Sequence, residues 1–218
     1  MGLLDELKQQ ATAVQQNDAL ERERKAANVA QIQPAMSRVY EYYRVLAEQL
    51  KVVCPNSPHT YRIFGVGELN NAQMLDAATR SRTQQIDGVY CYEYIEFAVN
   101  WRAGAPLQVA YTSVNEAQYL KERLWRFGCK VDEKIVKNAD GKMLRIVLTI
   151  SPEFPTRLRF ESDIAAGTVK LNLRNLEDFI DDWQILTPDQ CSPALFEELA
   201  KALLGKPHQL KSLLPMYG

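Results

Sequence analysis

Gly88-Val89-Tyr90-Cys91-Tyr92-Glu93-Tyr94-Ile95-Glu96-Phe97-Ala98-Val99-Asn100-Trp101 is the run from which the architecture can be read. It is dense in β-branched and aromatic residues and contains no proline, a composition that suits a pleated, half-buried surface. Side chains alternate across a strand, so one face reads Val89, Cys91, Glu93, Ile95, Phe97, Val99 and Trp101. The other reads Tyr90, Tyr92, Tyr94, Glu96, Ala98 and Asn100. From Ile95 onward the first face is apolar enough to lie on a core. The second is tyrosine-rich, as fits a sheet surface that is half covered or touches a partner. Asp87-Gly88 just before it is a hairpin signal, and residues 79–86 supply a polar neighbouring strand.

Turn chemistry punctuates the chain on either side. Residues 61–69 read as a first strand broken by Gly65 and Gly67, and Asn70 or Asn71 can cap a short helix to Ala78. Arg102-Ala103-Gly104-Ala105 turns the chain into a strand over 106–113. Ser113 then opens a well-delimited helix, with Glu116 completing a capping box and Gly128 just past the end. Asn138-Ala139-Asp140-Gly141 joins strands over 129–137 and 143–151, and Ala165-Ala166-Gly167 joins 156–164 to 168–174. Asn175 with Asp178 predicts a short helix to Trp183, and Ser192-Pro193 opens a last helix stopped by Gly205 and Pro207. Leu213, Leu214 and Met216 either dock the tail or leave it loose. Hairpins through most of the sheet imply antiparallel pairing, so the fold class is α+β.

Residues 1–54 stand apart as a helical arm, followed by an α+β domain with an antiparallel sheet over 55–218. Leu4, Leu7, Ala11 and Val14 have helical spacing, but the pattern lapses across 15–25, where Asp18, Glu21 and Lys25 take the apolar positions. Val29, Ile32, Met36, Val39, Tyr43, Leu46, Leu50 and Val53 then alternate spacings of three and four, the repeat of a packed helical seam. Pro34 inside it predicts a kink or a restart, so the arm is kinked or made of two helices. The seam has two possible destinations: the chain's own sheet, or a second copy. The segment 3–14 is too short to be stable alone and must dock on something.

The whole-chain properties exclude several classes. At 218 residues the chain can bury a sizeable core without staples. Acidic and basic residues nearly cancel, 27 against 26, so no global field favours polyanions or an acidic membrane surface. No apolar run approaches the ~20 residues of a membrane span, and the N-terminus lacks a signal-peptide pattern. Cys54, Cys91, Cys129 and Cys191 are scattered singly, which suits reduced, mostly buried thiols and a cytoplasmic address.

Motifs that would carry chemistry are weak. Gly65-Val66-Gly67 lacks the third glycine and the parallel unit of a dinucleotide loop, and reads better as a bulged strand. Glu177, Asp178, Asp181 and Asp182 on the predicted short helix could face a hard cation, but first-turn carboxylates mostly serve cap and dipole. His59 and His208 lie in separate loops, and Glu93 and Glu96 fall on opposite strand faces. No cofactor is implied. The basic residues are better organised: Arg80 with Arg82, Arg157 with Arg159, and Lys170 with Arg174 each alternate along a predicted strand. Beside Tyr90, Tyr92 and Tyr94 they could form a cationic face with stacking platforms.

The functional expectation is a non-enzymatic interaction or structural protein. It would self-associate, most simply as a dimer, through the seam from Val29 to Val53 and present a sheet face to a partner. The alternative is a nucleic-acid-binding module using the Arg/Lys strands and the tyrosines.

Overall fold

The core is built on the strand just described. In the computed structural model, which describes residues 2–214, that strand runs from Val89 to Arg102. The elements in order are α1 (Leu3–Val53), β1 (Tyr61–Ile63), β2 (Gly67–Leu69), β3 (Gln73–Ile86), β4 (Val89–Arg102), β5 (Leu107–Tyr111) and α2 (Val114–Arg126). They continue with β6 (Val131–Lys137), β7 (Met143–Ile150), β8 (Glu153–Asp163), β9 (Thr168–Arg174), β10 (Asp181–Leu186), α3 (Pro193–Leu203) and α4 (Leu210–Leu213). All pairings between these strands are antiparallel, in a main sheet of order β10-β9-β8-β4-β3, a three-stranded sheet β5-β7-β6 and the hairpin β1-β2. The chain is therefore α+β, with an N-terminal helix ahead of antiparallel sheets. No described helix is long and apolar enough to cross a membrane.

Helix α1 packs on one face of the main sheet and contacts β3, β4, β8, β9 and α3. Val29, Ile32, Met36, Val39, Tyr43 and Leu50 are buried there, opposite Ile95, Phe97, Leu158 and Phe160. Tyr43 sits at the centre, its ring 5.0 Å from Phe97, 5.8 Å from Phe160 and 5.8 Å from Phe196 of α3. The apolar area removed from water along this seam is the main force holding helix to sheet. Leu46 is only half-buried, and Val53 is exposed.

The expected kink or restart is replaced by a single 51-residue helix with Pro34 inside it. Residues 15–27 are Gln, Asn, Asp, Ala, Leu, Glu, Arg and Lys, nearly all good helix formers with no Gly or Pro, so the polar stretch changes what the helix faces without ending it. Pro34 has no N–H to donate and is exposed. Buried Ile32, Ala35, Met36 and Val39 clamp the turns around it onto the sheet.

Two predicted helices are strands. The segment expected to run from Asn70 or Asn71 to Ala78 belongs to β3, whose ladder with β4 begins at Gln73↔Arg102 and skips Leu75 at a bulge. The segment 175–183 is a loop followed by β10, because pairing with β9 from Asp181↔Arg174 to Leu186↔Val169 outweighs the local helix signal. Other signals behave as read. Asp87 and Gly88 take φ of 47° and 84°, as a tight hairpin requires. Ser113 Oγ accepts from the Glu116 N–H, and Gly128, at φ 75°, closes α2. Leu214 is buried, whereas Met216 lies outside the described residues.

The loop after β9 contains the chain's main buried polar clip. Asn175, fully buried at φ 54°, donates through Nδ2 to the Phe127 and Pro155 carbonyls, both at 2.7 Å. Its own carbonyl accepts from Thr156 Oγ1 at 2.7 Å and from Tyr61 Oη at 3.3 Å, and Trp101 Nε1 donates to Thr156 Oγ1 at 2.9 Å. The clip ties the end of α2 to the main sheet.

Two stability measurements check this account. Replacing Asn175 with Ala strands buried carbonyls and should lower the urea-derived unfolding free energy by about 2–4 kcal/mol. Replacing exposed Pro34 with Ala restores a helix hydrogen bond and should raise it by about 1–3 kcal/mol.

Candidate functional site

With α1 on one side, the opposite face of the main sheet has no covering element among the described residues. Register across the strands sets its side chains in rows. One row runs Ala78, Ala98, Arg157, Arg174, Asp181; the next Arg80, Glu96, Arg159, Asn172, Trp183; the third Arg82, Tyr94, Glu161, Lys170, Ile185. Arg80, Arg82, Arg157, Arg159, Lys170 and Arg174 therefore share one face, as the alternation along each strand predicted. Between them lies an open groove of about 420 Å³ lined by Glu96, Arg157, Arg159, Glu161, Lys170, Asn172, Arg174 and Asp181.

Charge and ring contacts shape this surface. Glu96 is largely buried between Arg157 (4.0 Å) and Arg159 (3.8 Å). Arg159 also bonds Glu161 through Nε and lays its guanidinium 3.8 Å from the centre of the Tyr94 ring. Arg174 faces Asp181 at 3.6 Å, Arg82 faces Glu93 at 2.9 Å, and the Lys170 ammonium lies 5.2 Å from the Trp183 ring centre. The Nε atoms of Arg157 and Arg174 are buried without a hydrogen-bond partner among the described residues, which leaves part of each fork's donor capacity unused. The pairs made by Glu93, Glu161 and Asp181, a third or more exposed on both sides, are each worth at most about 1 kcal/mol, so an incoming carboxylate or phosphate can displace them. Within these three rows six cations stand against Glu96, Glu161 and Asp181, with Glu93 beside Arg82; Asp76, Glu153 and Asp163 carry the same face outward along β3 and β8, so the positive excess is confined to the central rows of a chain whose net charge is −1.

The tyrosines divide differently from the expectation. The β3–β4 register shifts between Arg82↔Tyr94 and Thr83↔Tyr92, so Glu93 is an extra residue in a bulge. The bulge inverts the alternation. Tyr94 stays on the basic face, whereas Tyr92 turns to α1, stacks on Tyr40 at 5.9 Å and donates its backbone N–H to Gln33 Oε1. Burial pushes the pKa of the Tyr92 hydroxyl up, with Tyr40 and Glu41 adding to it. Tyr90, two residues back along the strand, is exposed on the side of Tyr92 rather than beside the arginines. Trp183 and Ile185, 56% and 52% exposed, are the apolar members of the face. They escaped the sequence reading because their segment carried a helix signal.

The remaining candidates are accounted for by structure. The seam residues named as an oligomer interface are occupied by the chain's own sheet, with Leu46 and Val53 the exceptions. Gly65 and Gly67 turn the β1-β2 hairpin. Asp178 caps nearby backbone, accepting from the Arg62 and Phe179 N–H groups, while Asp181 and Asp182 alternate along β10. No metal-holding group of His, Cys, Asp or Glu occurs among the described residues. Folding brings His59 and His208 to one surface groove, where His59 Nε2 lies 2.7 Å from the Ala202 carbonyl and His208 Nε2 lies 3.0 Å from Glu177. A larger depression of about 670 Å³ beside exposed Trp125 has less convergent chemistry, its Lys121 being tied to Glu133 at 2.7 Å. No family model, no curated protein and no solved structure matches the chain.

The cysteines divide by burial. Desolvation pushes the Cys91 thiol up and those of Cys129 and Cys191 up to about 12, so these three stay neutral and unreactive near pH 7. Cys54 is exposed. A colorimetric thiol reagent should titrate Cys54 alone in the native protein and all four cysteines in denaturant.

Proposed function

We propose that this chain is a non-enzymatic interaction protein that self-associates through its N-terminal helix and presents the open face of its main sheet to an acidic partner. The observation that carries this reading is the gathering of basic residues from β3, β8 and β9 onto one uncovered face, next to exposed Trp183 and Ile185. Cations and apolar surface side by side suit a protein segment that carries both carboxylates and hydrophobic side chains. Electrostatic complementarity of this kind favours fast encounter and selects the partner.

The second reading, a nucleic-acid-binding module, is favoured by Tyr94 and Trp183, aromatic rings beside Arg159 and Lys170. The interleaved acids Glu96, Glu161 and Asp181 count against it, because a continuous polyphosphate would run over them.

Binding of a fluorescent poly-glutamate peptide and of a single-stranded oligonucleotide to the full chain separates the two. The peptide should bind with an affinity that falls as salt is raised, and Arg157→Ala with Arg159→Ala should weaken it by about tenfold. Preference for the oligonucleotide would shift the reading to nucleic acid. Peptide binding indifferent to both substitutions would remove the face from consideration.

A further inference from the structure

We infer that the edge strand β10 pairs antiparallel with β10 of a second copy of this chain, about a twofold axis through Gln184, joining two five-stranded sheets into one. This goes beyond the roles proposed for the N-terminal helix and the open face, because the contact lies along a strand edge.

The main sheet has two edges, β10 and β3, and they are protected unequally. The outer side of β3 is closed at its start by the segment 55–57. There the Met74 N–H donates to the Pro55 carbonyl and the Ser57 N–H to the Ala72 carbonyl, around the Asn56↔Gln73 bridge. Exposed Arg80, Ser81, Arg82 and Thr83 follow, and charges of this kind keep an edge from pairing. Among the described residues no segment pairs with the outer side of β10. Its ladder with β9 is unbroken from Asp181 to Leu186, and it contains no Lys, Arg or Pro. Trp183 and Ile185 are exposed along it, and Ile180 just before it. An unguarded apolar edge is a template for a further strand.

The backbone of β10 is turned the right way. The Trp183 N–H bonds Asp182 Oδ1 at 2.8 Å, so it is not committed to β9. Backbone groups alternate sides along an antiparallel strand. Those of Trp183 and Ile185 therefore point outward, while those of Asp182 and Gln184 serve the β9 ladder. Centred on Gln184, twofold pairing sets Trp183 of each copy against Ile185 of the other. Each such pair exchanges two backbone hydrogen bonds and releases Asp182. An aromatic residue opposite a β-branched one is a favourable cross-strand pair. Asp182 then faces Leu186 and Asp181 faces Thr187, so no like charges meet. An axis at Trp183 would put Asp181 against Ile185, and an axis at Asp182 would put carboxylate against carboxylate.

Gln184 sits on the axis, on the side of the strand opposite Trp183. It is 7% exposed, and its Nε2 has no hydrogen-bond partner among the described residues. Leaving a buried amide donor unpaired is costly. Residues opposed in a non-hydrogen-bonded pair approach to about 4.5 Å between Cα atoms, and a turn of each side chain lets each Nε2 donate to the Oε1 of the other. A foreign strand on this edge would leave its own outer edge open. A second copy closes both apolar edges at once and leaves the guarded β3 strands at the ends. The two open faces then form one continuous surface with Trp183 and Ile185 at its centre.

A ladder of 6 residues is a small interface, so the dimer should form reversibly at high protein concentration. Light scattering on the full chain should then approach twice the 24.9 kDa monomer mass. Trp183→Lys with Ile185→Lys sets lysine against lysine across the axis and should weaken dimerisation by at least about tenfold. Trp183→Glu with Ile185→Glu should do the same. Circular dichroism checks that each variant is folded. Mixing the two variants should restore a dimer with one copy of each, which a folding defect would not allow. A full chain that stays monomeric, a dimer that survives both pairs of substitutions, or no recovery on mixing overturns the inference. A dimer that survives them but is lost on replacing Leu7, Val14 and Leu20 with Ser leaves self-association to the N-terminal helix alone.

Discussion

The packing of α1 on one side of the main sheet is the contact on which the remaining features depend. A sheet of alternating residues has two faces, and the seam centred on Tyr43 covers only one of them. Because the seam starts at Val29, the described side chains from Leu7 to Arg24 are left exposed. Because helix and sheet bury the apolar face between them, the arginine-bearing residues of β3, β8 and β9 turn to the opposite side. The uncovered face and the exposed arm are two consequences of one docking event.

Local irregularities adjust that plan. The bulge at Glu93 inverts the alternation of β4, sending Tyr92 to brace α1 through Tyr40 and Gln33 while Tyr94 stays under Arg159. Asn175 holds a left-handed backbone conformation that its buried hydrogen bonds keep in place. That conformation ends β9 and lets the chain turn back into β10, which brings Trp183 and Ile185 to the edge of the basic face. A site with apolar and cationic regions side by side thus depends on one polar residue in a buried loop.

The chain is nearly neutral, and its central sheet groove gathers Arg157, Arg159, Lys170 and Arg174 against Glu96, Glu161 and Asp181. The exposed ion pairs within the face individually contribute little. In the binding role proposed for the face, burial of Trp183 would supply most of the driving force.

What the sequence determined by itself is whatever depends on near neighbours in the chain. Alternation marked β4 and the paired cations of β3, β8 and β9; Asp87-Gly88 marked its hairpin; Ser113, Glu116 and Gly128 delimited α2; the three-and-four spacing from Val29 marked a packed helix. Each of these is a periodicity or cap that a few adjacent residues specify. Only the tertiary structure decided that the seam faces its own sheet, that 73–78 and 181–186 are strands, and that Tyr92 leaves the face that Tyr94 keeps. These outcomes depend on pairing between segments far apart in sequence, where ladder hydrogen bonds and burial of Tyr43, Phe97 and Phe160 outweigh local propensity. The basic face follows the same rule: its residues were legible one strand at a time, but their convergence needed the register of five strands at once.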